Sequence, residues 1–157
     1  MLYFAYGSNL DPTQMRLRCP EARYIGKARL DGYRLCFPRW SKIRASAVAG
    51  LEPAAGEAVW GVLYEIGETD LARLDEREGY DKRRAPVDNS HNRATVMVAR
   101  HEGKVSEAET YVATPSADAG LPSSEYIDYL LQLAVACDLP ADYREKLKAV
   151  KTVPLAA

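Results

Sequence analysis

The first ten residues constrain the chain more than any other stretch. Leu2 to Tyr6 is a short run of aromatic and apolar side chains, the composition of a buried strand, and it breaks at once into Gly7-Ser8-Asn9-Leu10. Such a turn exposes main chain. Glycine tolerates positive φ and leaves room for close approach, while Ser8 and Asn9 can bond locally and hold the loop rigid. Asp11-Pro12 follows, an N-cap residue with proline at the first helical position, which predicts a helix start. N–H groups left free between a strand end and a helix start make an anion site. Two readings of the same residues result: a loop whose amides grip a small anionic group such as a carboxylate, or a plain tight turn.

The partner classes are bounded by charge and size. The 157 residues suit one domain spanning 1–157. The 21 basic and 22 acidic residues give a net charge of −1, which argues against nucleic acid or an anionic membrane as the main partner and favours a small molecule. No apolar run approaches the roughly 20 residues of a membrane span. Cys19, Cys36 and Cys137 are odd in number and scattered, which predicts free thiols and a cytoplasmic setting. His91 and His101 have no zinc-type spacing and read as surface residues.

Along the chain, Thr13 to Arg18 predicts a short helix ended by Cys19-Pro20. Ala22–Arg29 and Tyr33–Phe37 read as a strand pair about an Asp31-Gly32 turn, followed by a polar, basic stretch from Ser41 to Ala45. Ser46–Leu51 reads as a strand, residues 52–56 as a loop, and Ala58–Ile66 as a central strand because it is almost continuously apolar. Thr69 reads as the cap of a helix from Asp70 to Arg77 that stops at Gly79. Arg83–Val87, Ala94–Arg100 and Glu107–Ala113 follow as strands, with Tyr111 and Thr110 on opposite faces. Ser123 caps a helix from Ser124 to Cys137, and Ala141–Val150 forms another. The expected architecture is α+β: a curved mixed or antiparallel sheet closing toward a small barrel, with short helices and a C-terminal helix pair.

The helix before Gly79 carries a second signal. At 100° per residue Leu71 and Leu74 define its apolar face, and Glu78 falls within roughly 10° of the middle of that face while Glu76 and Arg77 point away. The hydrophobic effect does not ask for a carboxylate there, since burying an unpaired charge is costly. Asp75, about 70° from the stripe centre, competes for any role.

Together these residues resemble the γ-glutamylcyclotransferase family, the AIG2-like proteins with the BtrG-type fold. Tyr3-Phe4-Ala5-Tyr6-Gly7-Ser8-Asn9-Leu10 is similar to the family's YGSNL loop and its feeding strand. Leu74-Asp75-Glu76-Arg77-Glu78-Gly79 is similar to the segment whose glutamate before glycine is the family's base. Pro122-Ser123-Ser124-Glu125-Tyr126 and the stretch from Leu139 to Leu147 resemble the C-terminal part of its glutathione-pathway members. The resemblance implies cyclisation of a γ-glutamyl compound to 5-oxoproline with release of an amine or amino acid, without metal or cofactor. It implies Glu78 as general base then acid, with Tyr3, Phe4, Ala5, Tyr6, Gly7, Ser8, Asn9 and Tyr126 at the substrate. Tyr126 and Tyr111 also suit a purely structural place in the core. Arg83 and Arg84 either meet an anionic leaving portion or are solvated charges. A binding module that keeps the pocket without turnover is the alternative function; a serine hydrolase using Ser8 lacks G-x-S-x-G.

Overall fold

In the computed structural model, residues 1–154 are described. Five strands close into a barrel: β1 (Leu2–Ala5), β2 (Arg23–Ser41), β3 (Ser46–Glu65), β4 (His91–Arg100) and β5 (Val105–Ala113), in the spatial order β1-β3-β2-β4-β5. Four α-helices accompany them: α1 (Pro12–Arg18), α2 (Glu68–Glu78), α3 (Ser124–Ala136) and α4 (Ala141–Lys148). The expected curved sheet is thus a closed, mixed barrel. β1 pairs antiparallel with β3 from Leu2↔Glu65 to Ala5↔Val62 and parallel with β5 at Tyr3↔Glu109. Among the described residues, no helix is long and apolar enough to cross a membrane.

The strand pair expected about Asp31-Gly32 is a single long strand. Gly32 sits at φ +81° where the register shifts between Asp31 and Tyr33, so the glycine makes a bulge that bends β2 without turning it. The partner irregularity lies at residues 54–57, between Pro53↔Tyr33 and Ala58↔Asp31, so the expected loop at 52–56 lies within β3. The real hairpin turn lies at residues 42–45, between Ser41↔Ser46. Arg83–Val87 is likewise not a strand: Pro86–Asp88 forms a 3-10 turn, and proline, lacking an N–H, starts that turn well.

The helices follow their sequence signals closely. The Asp11 carboxylate accepts from Thr13 N, and the Ser123 hydroxyl accepts from Tyr126 N, so both side chains cap as expected. α2 begins beyond Gly67 rather than at a Thr69 cap and ends at Gly79, whose left-handed φ of +70° lets its N–H and that of Tyr80 bond back into the helix. An added Cβ at Gly79 would lie 2.9 Å from the Ser90 side chain, so the chain passes close to α2 just where Glu78 is presented.

The core fills the barrel and the space under α2 and α3, with Phe4, Leu10, Met15, Leu63, Leu74 and Leu130 almost wholly buried. β1 can lie against β3 only because Gly61 has no side chain. A Cβ there would sit 2.2 Å from the Ala5 carbonyl oxygen and 2.9 Å from the Phe4 ring. Gly61→Ala is therefore expected to destabilise the fold by about 3 kcal/mol, at the upper end for overpacking, because the nearest obstacle is backbone. Urea denaturation checks this; a midpoint equal to that of the parent protein would contradict the packing.

Candidate active site

β1 ends at Ala5, and residues Ser8–Leu10 coil into one 3-10 turn held by Leu10 N–H to the Gly7 carbonyl and Asp11 N–H to the Ser8 carbonyl. Among the described residues, no acceptor takes the N–H of Gly7, Ser8 or Asn9, which leaves three donors at the head of the turn. Gly7 has φ −113°, so positive φ is not why glycine stands there. What it provides is open space: the nearest atoms to an added Cβ are Ala49 Cβ at 3.8 Å and Tyr126 Oη at 3.9 Å. The N-terminus of α1, by contrast, is capped by Asp11, whose carboxylate accepts the Thr13 N–H.

Asn9 makes the turn rigid. It is buried, its amide donates to Tyr3 Oη at 2.9 Å, and its Oδ1 accepts from Arg18 Nη1 at 2.7 Å and Gln14 Nε2 at 3.1 Å. Its carbonyl takes the Tyr64 hydroxyl at 3.0 Å. The Ser8 hydroxyl also accepts from Gln14 Nε2, at 3.0 Å. Tyr6 donates its hydroxyl to the Tyr111 carbonyl, fixing the end of β1 to β5.

The turn faces a cavity of about 610 Å³. Tyr3, Tyr6, Gly7, Ser8, Asn9, Glu78 and Tyr126 all border it, so one space brings together most of the residues that the sequence singles out. Phe4 and Ala5 do not border it: Phe4 is wholly buried against Gly61, and Ala5 is buried beside it. Both support the wall from behind. Tyr126, the third residue of α3, accepts the Ala49 N–H at 3.0 Å, and its ring meets Phe37 edge-on. It is therefore both a core aromatic and a cavity wall.

Glu78, on the stripe with Leu71 and Leu74, has a side chain only 18% exposed. His91 Nδ1 lies 3.1 Å from its carbonyl oxygen and 3.6 Å from its Oε2. This histidine is a cavity residue, not the surface residue that spacing suggests, because β4 begins at His91 directly beneath the end of α2. Asp75 is committed elsewhere: it accepts the Tyr111 hydroxyl at 2.6 Å and Arg93 Nη1 at 2.7 Å. Tyr111 and Thr110 do face opposite ways, Tyr111 to the cavity and Thr110 to the Phe4 carbonyl at 2.8 Å. Arg83 and Arg84 lie with Asp81 outside this cavity.

Sequence reasoning misses the rim. Arg39, Trp40, Ser41, Lys42, Ile43 and Arg44, from the end of β2 and the hairpin turn, border the cavity, as do Gln14, Arg18 and Arg77. The cluster of basic residues between Pro38 and Ala45 is visible in the sequence, but without the hairpin nothing directs it to the turn at Gly7. Arg77, expected to point away from the Leu74 stripe, reaches the rim from the last turn of α2.

Burial and the nearby negative charge of Glu78 both raise the phenol of Tyr3, and burial, Tyr3 and Glu78 together raise that of Tyr6 well above its usual range. Burial also pushes Tyr126 up to about 12. These phenols are neutral hydrogen-bonding groups at any ordinary pH. Burial pushes the thiols of Cys19 and Cys36 up to about 11, and all three cysteines are free, so none is a ready nucleophile.

The cyclotransferase family profile described as Gamma-glutamyl cyclotransferase, AIG2-like, matches residues 3–131. The chain belongs to this family. It is 34% identical to the Gamma-glutamylcyclotransferase of Homo sapiens over 154 residues, covering 96% of this chain and 78% of that protein. The Mus musculus Gamma-glutamylcyclotransferase is 32% identical over the same coverage. A solved structure named Gamma-glutamyl cyclotransferase superposes with a TM-score of 0.86 at 31% identity, covering 100% of this chain and 91% of that one. In this chain the Gly7 turn, Glu78 and Tyr126 border one cavity.

The tyrosines allow a test of this packing. A folded-state pKa above the unfolded value of 10 stabilises the fold fully below pH 10, and this stabilisation is lost as pH rises through the folded values, about 12 for Tyr126 and higher for its neighbours. The denaturation midpoint should therefore fall steadily above pH 10, and much of the phenolate absorbance should appear only with unfolding. Full ionisation of all ten tyrosines near pH 10 in the folded protein would contradict their burial.

Proposed function

We propose that this enzyme of the cyclotransferase family converts a γ-glutamyl compound to 5-oxoproline with Glu78 as its base and the Tyr6–Asn9 turn as its anion site. The observation that carries the reading is the carboxylate of Glu78 facing the same cavity as the unbonded N–H groups of Gly7, Ser8 and Asn9. The substrate is small, and the cavity of about 610 Å³ suits a dipeptide-sized molecule.

In the reaction the α-nitrogen attacks the γ-carbonyl carbon, a new C–N bond closes the five-membered lactam, and the bond to the leaving nitrogen breaks. No water is consumed. Of the three protons on the α-ammonium, one stays on the lactam nitrogen and two pass to the leaving nitrogen, which departs as an ammonium group. One carboxylate that takes a proton and returns it serves both directions. The turn amides supply donors for the negative oxygen that develops on the γ-carbonyl or for the α-carboxylate, in a setting where they need no rearrangement. Because both reacting groups belong to one molecule, the walls formed by Tyr3, Tyr6 and Tyr126 contribute by holding the substrate folded. Residues 1–157 act in this reading as a single domain.

Glu78→Gln keeps shape but cannot accept a proton. It is expected to fold, bind a γ-glutamyl compound and lose at least about 100-fold in kcat, measured as 5-oxoproline formed. Production at close to the parent rate by the folded variant would exclude Glu78 as base. Glutamate as product would mean hydrolysis instead. Ser8→Ala should cost less than about tenfold, since only the bond from Gln14 is lost, whereas Gly7→Val should abolish turnover by filling the approach to the amides. A Ser8→Ala variant as inactive as Glu78→Gln would shift the anion site from the amides to the hydroxyl.

A further inference from the structure

The cavity holds an imbalance that cyclisation itself does not use. Arg18, Arg39, Lys42, Arg44 and Arg77 border it, against Glu78 as the only carboxylate among the described residues, a formal charge of +4 in that lining of a chain whose net charge is −1. Elsewhere the arginines Arg23, Arg29, Arg34, Arg93 and Arg100 each have a carboxylate within 4.0 Å. None of the five cavity cations does among the described residues.

Three of them are instead held by neutral groups, while Lys42 and Arg77 are exposed. Arg39 donates to the Thr114 carbonyl at 3.2 Å and to the Ser90 hydroxyl at 3.4 Å. Arg44 donates to Gln14 Oε1 at 2.8 Å and lies 5.0 Å from the centre of the Tyr129 ring. Arg18 donates to Asn9, and its Nε is buried without a partner. Burial lowers the pKa of the Arg18 guanidinium, the opposite charge of Glu78 raises it, and the like charges of Arg77 and Arg44 act with burial. Neutral anchoring of this kind positions charge without a carboxylate to neutralise it, which leaves it free to meet an anionic ligand.

The γ-glutamyl head cannot complete it, since one carboxylate and one ammonium sum to zero. Arg39, Lys42 and Arg44 belong to the β2–β3 hairpin rather than to the turn or α2, and none of them bonds directly to the Tyr6–Asn9 turn or to Glu78, so they are available to the leaving portion. Resting on the cyclotransferase reading, we infer that the hairpin cations Arg39, Lys42 and Arg44 select γ-glutamyl compounds whose leaving portion is an acidic amino acid, and disfavour cationic amines.

The test compares γ-glutamyl-glutamate with γ-glutamyl-glutamine, which have nearly the same shape and differ by one charge, with γ-glutamyl-putrescine as the cationic member. The expected result is a kcat/KM about tenfold higher for the glutamate compound than for the glutamine one, expressed mainly in KM, with putrescine lowest. The preference should narrow at high salt and in Lys42→Gln and Arg39→Gln. Equal kcat/KM for the first two, or the putrescine compound best, overturns the inference while leaving the reaction intact. Calorimetric binding of the same compounds to Glu78→Gln separates the two claims. A tenfold affinity preference there upholds the charge selection even if no 5-oxoproline forms, and equal affinity or no binding overturns it.

Discussion

The structure depends on the seating of a four-residue strand. β1 closes the barrel, yet its parallel side meets β5 at a single paired position, Tyr3↔Glu109. Side chains complete what the ladder lacks: the Thr110 hydroxyl donates to the Phe4 carbonyl, and the Tyr6 hydroxyl donates to the Tyr111 carbonyl. Both bonds are buried, where an unmet carbonyl would cost about 1–3 kcal/mol. On the other side the absence of a Gly61 side chain lets β3 approach. The turn that follows β1 inherits its position from these contacts, and Asn9 then ties it to Tyr3, Gln14, Arg18 and Tyr64.

Against this fixed turn, α2 delivers a carboxylate by a different device. Its stripe of Leu71 and Leu74 is pulled into the core by burial, and Glu78 shares that phase, so the same force that packs the helix aims the acid. Gly79 stops the helix in the left-handed conformation, and the chain returns past Ser90 so that His91 lies beside Glu78. Asp75, one turn earlier, is taken up by Tyr111 and Arg93 and so holds α2 against the barrel.

Features governed by local chemistry could be read from the sequence. The caps at Asp11 and Ser123, the stop at Gly79, the burial of β1 and the phase of Glu78 depend on residues within a few positions of each other. What could not be read depends on distant pairing. Asp31-Gly32 has the composition of a hairpin turn, but β3 runs on past it and converts the turn into a bulge. Pro86 sits in a stretch of strand-like composition, yet forms a 3-10 turn. The cavity rim was hidden for the same reason. Arg39 to Arg44 reach the Gly7 turn only because β2 and β3 are 19 and 20 residues long and carry their tip to the far wall. His91 carries no spacing signal; its place follows from where β4 starts.

The closure of the barrel also bears on when the protein can come into being. β1 leaves the ribosome first, but its partners are β3, about 60 residues later, and β5, more than 100 residues later, as the separation of 106 between Phe4 and Thr110 records. Contacts of such long range form late, because the intervening chain must first be brought to order. Until Ala113 has emerged, the apolar side chains of Leu2 to Tyr6 have no complete groove to enter. That apolar segment is therefore exposed while the chain from β1 to β5 is being made. The Gly7 turn cannot take shape ahead of the barrel, so a chain cut short before β5 has no assembled site.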